Sequence, residues 1–377
     1  MTEDVFIVAG GAMPVHNRYP LGSGRAVARG AGVEALGAAG LTYADLDALY
    51  CGVAMPTSPP AVQVGKEFGL TGIPVVQVTN ASASGLAAIH TAVDAMQAGR
   101  ADLVMVIGYD VPVNLDDPIA AQGYLPPPIL FAMWAQRRMF DVGTTAETLA
   151  RIAAKNINYA SAVPFAARRR DEEMTAEAVL ASRMVATPLT TLMCTPWVYG
   201  AAAIILATRA GLERLGNPPA VVARIEATEF QSEVIGPHHL IEGAVTGPVD
   251  ITRTTASAVL RRAGRRVDEV DSVQIHDAFA IEELVYYETL GFAPEGGADD
   301  LVAAGAFGPG SRERHGLPEF STDGGLIGRG HPGGPSGVFQ AIESLRRFRT
   351  TEDRVALCHM LGAGSTCLAQ VYAKVTL

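Results

Sequence analysis

The sequence predicts an α/β protein made of two related halves with an insertion between them. Three observations carry this reading. First, the 377-residue chain is 49% hydrophobic but only 6% aromatic, and it holds 40 glycines. Ala, Val, Leu and Gly must therefore fill the core, which suits closely packed layers of helix and sheet. Second, residues 39–49 match residues 263–273 at an offset of 224. The two stretches share Ala-Gly, an acid at Asp45 and Glu269, aspartates at Asp47 and Asp271, and the apolar positions between them. Third, Ser84-Gly85 and Ser336-Gly337 each open a helical stretch that leads into a strand, at 102–106 and at 354–358, both at an offset of 252. Matches in the same chain order, each combining helix and strand, point to a duplicated α/β unit.

Taken in order, Val5-Phe6-Ile7-Val8-Ala9 reads as the first strand. Only Met-Thr-Glu-Asp precedes it, with no basic segment of a secretory leader, so a cytoplasmic location is expected. A helix then runs to a turn at Gly40, followed by a short acidic loop and a strand. The next helix runs from Ser84 to about Ala98. Residues of about 110–200 differ in character: they carry Pro126-Pro127-Pro128, a helical stretch near 129–160 and the charged run from Arg168 to Glu173. They read as an inserted loop domain. Apolar runs at 203–207, 220–223 and 271–275 read as buried strands. The halves are accordingly 1–210, with the loop domain inside it, and 211–377. No apolar run approaches the ~20 residues of a membrane helix. A net charge of −10 argues against nucleic-acid binding. Cys51, Cys194, Cys358 and Cys367 lie far apart with no metal-ligand spacing, so buried free thiols and no metal site are expected.

Four motifs follow one another along the chain. Val78-Thr79-Asn80-Ala81-Ser82-Ala83-Ser84-Gly85 lies between a strand and a helix. His276-Asp277-Ala278-Phe279 follows the strand that ends at Ile275. Gly330-His331-Pro332-Gly333-Gly334 precedes another helix, and Leu361-Gly362-Ala363-Gly364 ends the last motif strand. Together with the duplication, these resemble the thiolase superfamily along essentially the whole chain, and within it the sterol-carrier-protein-type thiolases. The resemblance implies a five-layer αβαβα fold, a homodimer and an acyl-CoA ligand. Coenzyme A enters as part of the substrate, with no separate cofactor.

The family forms its acyl-enzyme on a cysteine at the position of Ser82. Its second catalytic cysteine falls at Met360 or, in the sterol-carrier type, at Ala278. Neither position holds a thiol here. The resemblance makes Ser82, His276 and His331 the catalytic set, with His331 as base or oxyanion donor and His276 as its partner. Backbone N–H groups of Ser82 and Gly362 would form a second oxyanion hole, and preorganised donors of this kind are each worth about 3–4 kcal/mol. Serine needs a positioned base to attack a thioester, and His331 is the candidate. Arg168 and Arg169 are expected to meet the phosphates of CoA, and Met360 and His359 to border the substrate. Related aldolases carry tyrosines where His276 and His331 stand, and several relatives act with a small zinc-containing OB-fold acyl-CoA-binding partner. The readings left open are an acyl-CoA enzyme performing acyl transfer or C–C cleavage or formation, an aldolase-type lyase, and a catalytically degenerate acyl-CoA-binding subunit.

Overall fold

A computed structural model of the protein describes residues 3–20, 23–55, 58–110, 127–234, 249–363 and 365–377. Part of the predicted insertion, including Pro126, lies outside the described residues, as does Gly364.

Twelve strands are described: β1 (Phe6–Ala12), β2 (Ala48–Gly52), β3 (Val75–Val78), β4 (Leu103–Asp110), β5 (Met184–Ala186), β6 (Leu189–Thr190), β7 (Gly200–Ala207), β8 (Val221–Ser232), β9 (Ser272–Gln274), β10 (Glu319–Phe320), β11 (Val355–Gly362) and β12 (Thr366–Thr376). Ten of them join in the order β3-β2-β4-β7-β1-β8-β12-β11-β9-β10. The order is palindromic in role. In the first half β3, β2 and β4 run parallel, while β7 is antiparallel to both β4 and β1. In the second half β10, β9 and β11 run parallel, while β12 is antiparallel to both β11 and β8. The halves meet where Phe6 pairs with Arg224 and Ile7 with Ala223.

The duplication read from the sequence reappears in hydrogen bonds. Asp47 Oδ2 accepts from the N–H groups of Asp102 and Leu103, both at 2.8 Å. Asp271 Oδ2 accepts from those of Arg354 and Val355, at 2.8 and 3.0 Å. Each aspartate ties the loop ahead of one parallel strand to the start of its neighbour. Gly40 and Gly264, both at φ 67°, close the preceding helices in the left-handed conformation that a side chain disfavours.

Five layers result. The helix Gly24–Ala39 covers the first half of the sheet through Val27, Ala28 and Ala31, packed with Val8, Leu49 and Met105. The helices Val249–Ala263 and Ala280–Thr289 cover the second half, with Val259, Ile281 and Leu284 against Val273, Leu357 and Val371. Between the two halves of this sheet lie the helices Ser84–Gln97 and Ser336–Thr350, where Leu86, Ile89, Val338 and Phe339 pack with Ile204, Met360 and Tyr372. These central helices cross so closely that a Cβ on Gly85 would sit 2.5 Å from the Gly334 carbonyl oxygen, and one on Gly337 would sit 2.6 Å from the Leu86 nitrogen. The close approach brings both helix N-termini to one place.

The helical stretch expected near 129–160 is two helices, Pro127–Val142 and Ala146–Ser161. Gly143, at φ 85°, breaks them apart, and Thr145 caps the second by accepting from the Thr148 N–H at 3.1 Å.

Candidate active site

Three loops converge where the central helices begin. Ser82 sits in the turn between β3 and the helix Ser84–Gln97, just after Ala81, whose φ of 45° bends the chain sharply. His331 lies in the loop ahead of the helix Ser336–Thr350, between Gly330 and Gly333, both with positive φ. His276 follows β9 and precedes the helix Ala280–Thr289. Residues 249 positions apart in the chain thus come into contact: Ser82 Oγ lies 2.8 Å from His331 Nε2. The second ring nitrogen of His331, Nδ1, lies 2.7 Å from Ser336 Oγ. The rings of His276 and His331 meet edge to face, with centroids 5.2 Å apart. His276 Nδ1 lies 2.9 Å from Glu282 Oε1.

Beneath these groups, the buried carboxylate of Asp110 receives the N–H groups of Ala54, Met55 and Gly334 at 3.1, 2.9 and 2.6 Å, and the Ser58 hydroxyl at 2.7 Å. It joins the end of β4 to the His331 loop. Burial pushes its carboxyl up to about 6. The Gly362 turn closes the site from the other side: a Cβ there would lie 2.5 Å from the Asn80 carbonyl oxygen and 3.3 Å from Ala83 Cβ. Gly362 therefore abuts the Ser82 turn.

Burial holds the His331 ring well below its ordinary titration range, and the neighbouring His276 and Arg329 add to the effect. A neutral ring facing a serine hydroxyl can accept its proton, or it can donate from Nε2 when Ser336 receives no proton from Nδ1; the tautomer decides which. All four thiols are buried. Burial raises Cys194 to about 11 and Cys358 and Cys367 to about 12, and raises Cys51 further. None is poised as a nucleophile.

Three other expected residues belong to the framework. Arg168 donates to the backbone carbonyls of Thr191, Ile327 and Leu192 at 3.0, 3.1 and 3.4 Å, and burial lowers it to about 10. It clamps the loop domain to the segment leading to His331, so its guanidinium is engaged by the framework. Arg169, by contrast, is exposed, its Nη1 3.5 Å from the Pro164 carbonyl. Strand alternation sends His359 and Met360 to opposite faces of β11, and both are fully buried. His359 bonds Thr252 Oγ1 through Nε2 at 3.2 Å and is held neutral, at about 3, by burial and by His276. Met360 Sδ lies 3.1 Å from Gln340 Nε2 within the central layer. Neither lines an open substrate surface.

Glu282, Ser336 and Asp110 escaped the sequence reading as site residues. Ser336 is five residues beyond His331 and Glu282 six beyond His276, so helix onset beside each histidine was the available signal.

With this geometry in place, comparison with known proteins is decisive at the level of family. Residues 16–111 match the thiolase N-terminal domain, and residues 241–371 match the thiolase C-terminal domain-like family. The chain belongs to the thiolase superfamily. Among its relatives is sterol carrier protein 2 of Gallus gallus, 30% identical over 412 residues, covering 99% of this chain and 72% of that protein. The benzoylsuccinyl-CoA thiolase subunit BbsB of Thauera aromatica is 31% identical, covering 82% of each chain. An acetyl-CoA acetyltransferase of Methanothermobacter thermautotrophicus is 30% identical, covering 91% of this chain and 93% of that one. Among solved structures, the Ltp2-ChsH2(DUF35) aldolase superposes with a TM-score of 0.81 at 21% identity, covering 99% of this chain and 98% of that one. The acetyl-CoA acetyltransferase of Bacillus anthracis superposes at 0.75 with 16% identity, covering 99% of each. Both share the fold. Among the described residues there is no metal-ligand cluster and no helix long and apolar enough to cross a membrane.

Proposed function

We propose that this chain is an acyl-CoA enzyme in which Ser82, His331 and His276 receive the thioester, with Ser82 as the attacking group. The observation that carries this is the 2.8 Å contact between Ser82 Oγ and the Nε2 of a neutral His331. In the forward half-reaction, Ser82 Oγ attacks the thioester carbonyl carbon, His331 Nε2 takes the hydroxyl proton, and that proton leaves with the CoA thiolate. The Ser82 and Gly362 N–H groups stabilise the tetrahedral oxyanion. The relatives named for acetyl transfer and for benzoylsuccinyl-CoA thiolysis support a CoA thioester as substrate. Exposed Arg169 is the member of the basic run proposed to meet CoA phosphate.

A second reading has its own observation. His331 is a weak base because it is buried, and serine is a poor acid. Carbon–carbon cleavage or formation without an acyl-enzyme, with Ser82 as a donor only, demands less of that pair. Under either reading we propose a homodimer, with a small OB-fold subunit as a further partner. A DUF35-containing aldolase complex of the same fold is compatible with that partner.

Rapid-quench intact-mass analysis with acetyl-CoA and octanoyl-CoA tests the first reading. An acyl adduct that vanishes in Ser82→Ala and in His331→Ala is expected. Thiolytic cleavage of acetoacetyl-CoA with no adduct would favour the second reading. If neither adduct nor cleavage occurs, with or without an OB-fold partner, the enzyme reading fails and the binding-subunit reading replaces it.

A further inference from the structure

His276 differs from His331 in what stands behind it. Glu282 has no exposed surface, and its Oε1 lies 2.9 Å from His276 Nδ1. The remaining capacity of that carboxylate is taken by protein donors: the Phe279 N–H reaches Oε2 at 3.1 Å, and the Tyr286 hydroxyl reaches Oε1 at 3.3 Å. Tyr286 stays protonated because burial and the charge of Glu282 push its phenol well above the usual range. The carboxylate is thus fixed by the first turn of the helix Ala280–Thr289, and of its partners the imidazole is the one free to take up a proton. The other groups facing His276 are unlike Glu282. His331 and His359 are both held neutral, each opposed by His276. Asp277 is turned away, accepting from Asn156 Nδ2 and the Leu326 N–H at 2.8 Å each. Arg329 is paired with Asp323.

We propose that Glu282 is a positioning residue that makes His276 the proton-transfer group of the site, holding Nδ1–H so that Nε2 takes the proton from the carbon beside the thioester carbonyl. In that step the C–H bond breaks and an N–H bond forms at Nε2. The C–H electron pair becomes the enolate C=C bond, and the carbonyl π pair moves onto the thioester oxygen. The imidazolium so formed is neutralised by Glu282, and returning the proton to carbon restores the starting state. In the neutral ring Nε2 is an acceptor; it becomes a donor to the thioester oxygen only after it has gained the proton. The site then has two acid–base centres, Ser82–His331 and Glu282–His276, and the second supplies what a thiol would otherwise supply. This rests on the acyl-CoA reading above, so the test separates the two.

The full chain labelled with ¹⁵N-histidine reports the tautomer directly, with His276→Gln assigning the signal. The expected result at pH 8 is a protonated Nδ1 and a bare Nε2. In parallel, acetyl-CoA and octanoyl-CoA are incubated with the protein in D₂O, and deuterium in the recovered acyl group is counted by mass, with binding measured by calorimetry. Glu282→Gln keeps an acceptor for Nδ1–H and removes the charge. It should slow exchange about ten- to hundredfold with binding unchanged, and it should move the rising limb of the pH profile to lower pH. Glu282→Asp, which retains the charge, should keep the wild-type limb. A purely structural role would lower the plateau without moving the limb. A bare Nδ1 in the wild type, or wild-type exchange and profile in Glu282→Gln, overturns the proposal. Binding without any exchange in the wild type also overturns it and leaves the acyl-CoA reading standing. Absence of binding removes both.

Discussion

Replacing Ser82 with cysteine tests the electrostatics of the site without any knowledge of the acyl group. An unperturbed thiol titrates near ~8.5. At position 82 two features of the structure favour the thiolate. The helix Ser84–Gln97 begins two residues later, and a helix N-terminus is worth roughly 0.3–1 kcal/mol to an anion. His331 Nε2 lies 2.8 Å from the side-chain atom being replaced, and a hydrogen bond to a charged group contributes about 1.5–3 kcal/mol. At ~1.4 kcal/mol per pH unit these lower the midpoint by roughly one to three units, and the half-buried position offsets part of that. A midpoint of about 6 to 7.5 is expected. The assay is the rate of iodoacetamide alkylation against pH, followed by intact mass. The four native thiols give little background, since burial keeps them protonated. Adding His331→Ala should return the midpoint toward ~8.5. A midpoint at or above that value in the single variant, or one indifferent to His331→Ala, would refute the proposed role of His331.

Two further predictions concern the framework of the site. Gly85→Ala places a Cβ 2.5 Å from the Gly334 carbonyl oxygen, so thermal unfolding should show a loss of about 3 kcal/mol or more, as for an overpacked core; an unchanged Tm would contradict the crossing. Asp110 has its carboxyl raised to about 6 by burial, against ~3.9 in an unfolded chain. Because the folded value is the higher one, its contribution is fully present below pH ~4 and is lost as pH rises through 6, amounting to about 3 kcal/mol. The stability difference between wild type and Asp110→Asn, from denaturant titrations at pH 4 and pH 7, should move against the wild type by that order. A difference independent of pH would show that its four donors outweigh its burial.

Much of the architecture was legible because it is written twice. Asp47 and Asp271 occupy equivalent places in a repeated pattern, and each receives two consecutive strand N–H groups, so a local match carried a tertiary meaning. The small-residue content became legible as the close crossing at Gly85 and Gly337. The site was legible where motifs end strands and begin helices, as at Ser82, His276 and His331. It was not legible where function depends on what arrives from elsewhere. The carbonyls that claim Arg168 come from residues 191, 192 and 327, and nothing in an arginine run announces them. His359 and Met360 adjoin the last glycine turn in sequence, yet a strand covered on both faces buries each in a different layer. Asp110 looks like an ordinary strand-end acid until Ala54, Met55, Ser58 and Gly334 close on it.

In the proposed complex an acyl-CoA thioester is received between Ser82, His276 and His331. Its most direct test is a crystal structure of the full chain with a dethia acetyl-CoA analogue, in which a ketone replaces the thioester. The expected structure has the ketone carbon beside Ser82 Oγ, between the His276 and His331 rings, with its oxygen within hydrogen-bond reach of the Ser82 and Gly362 N–H groups. A well-ordered analogue whose ketone lies away from all four residues would contradict it.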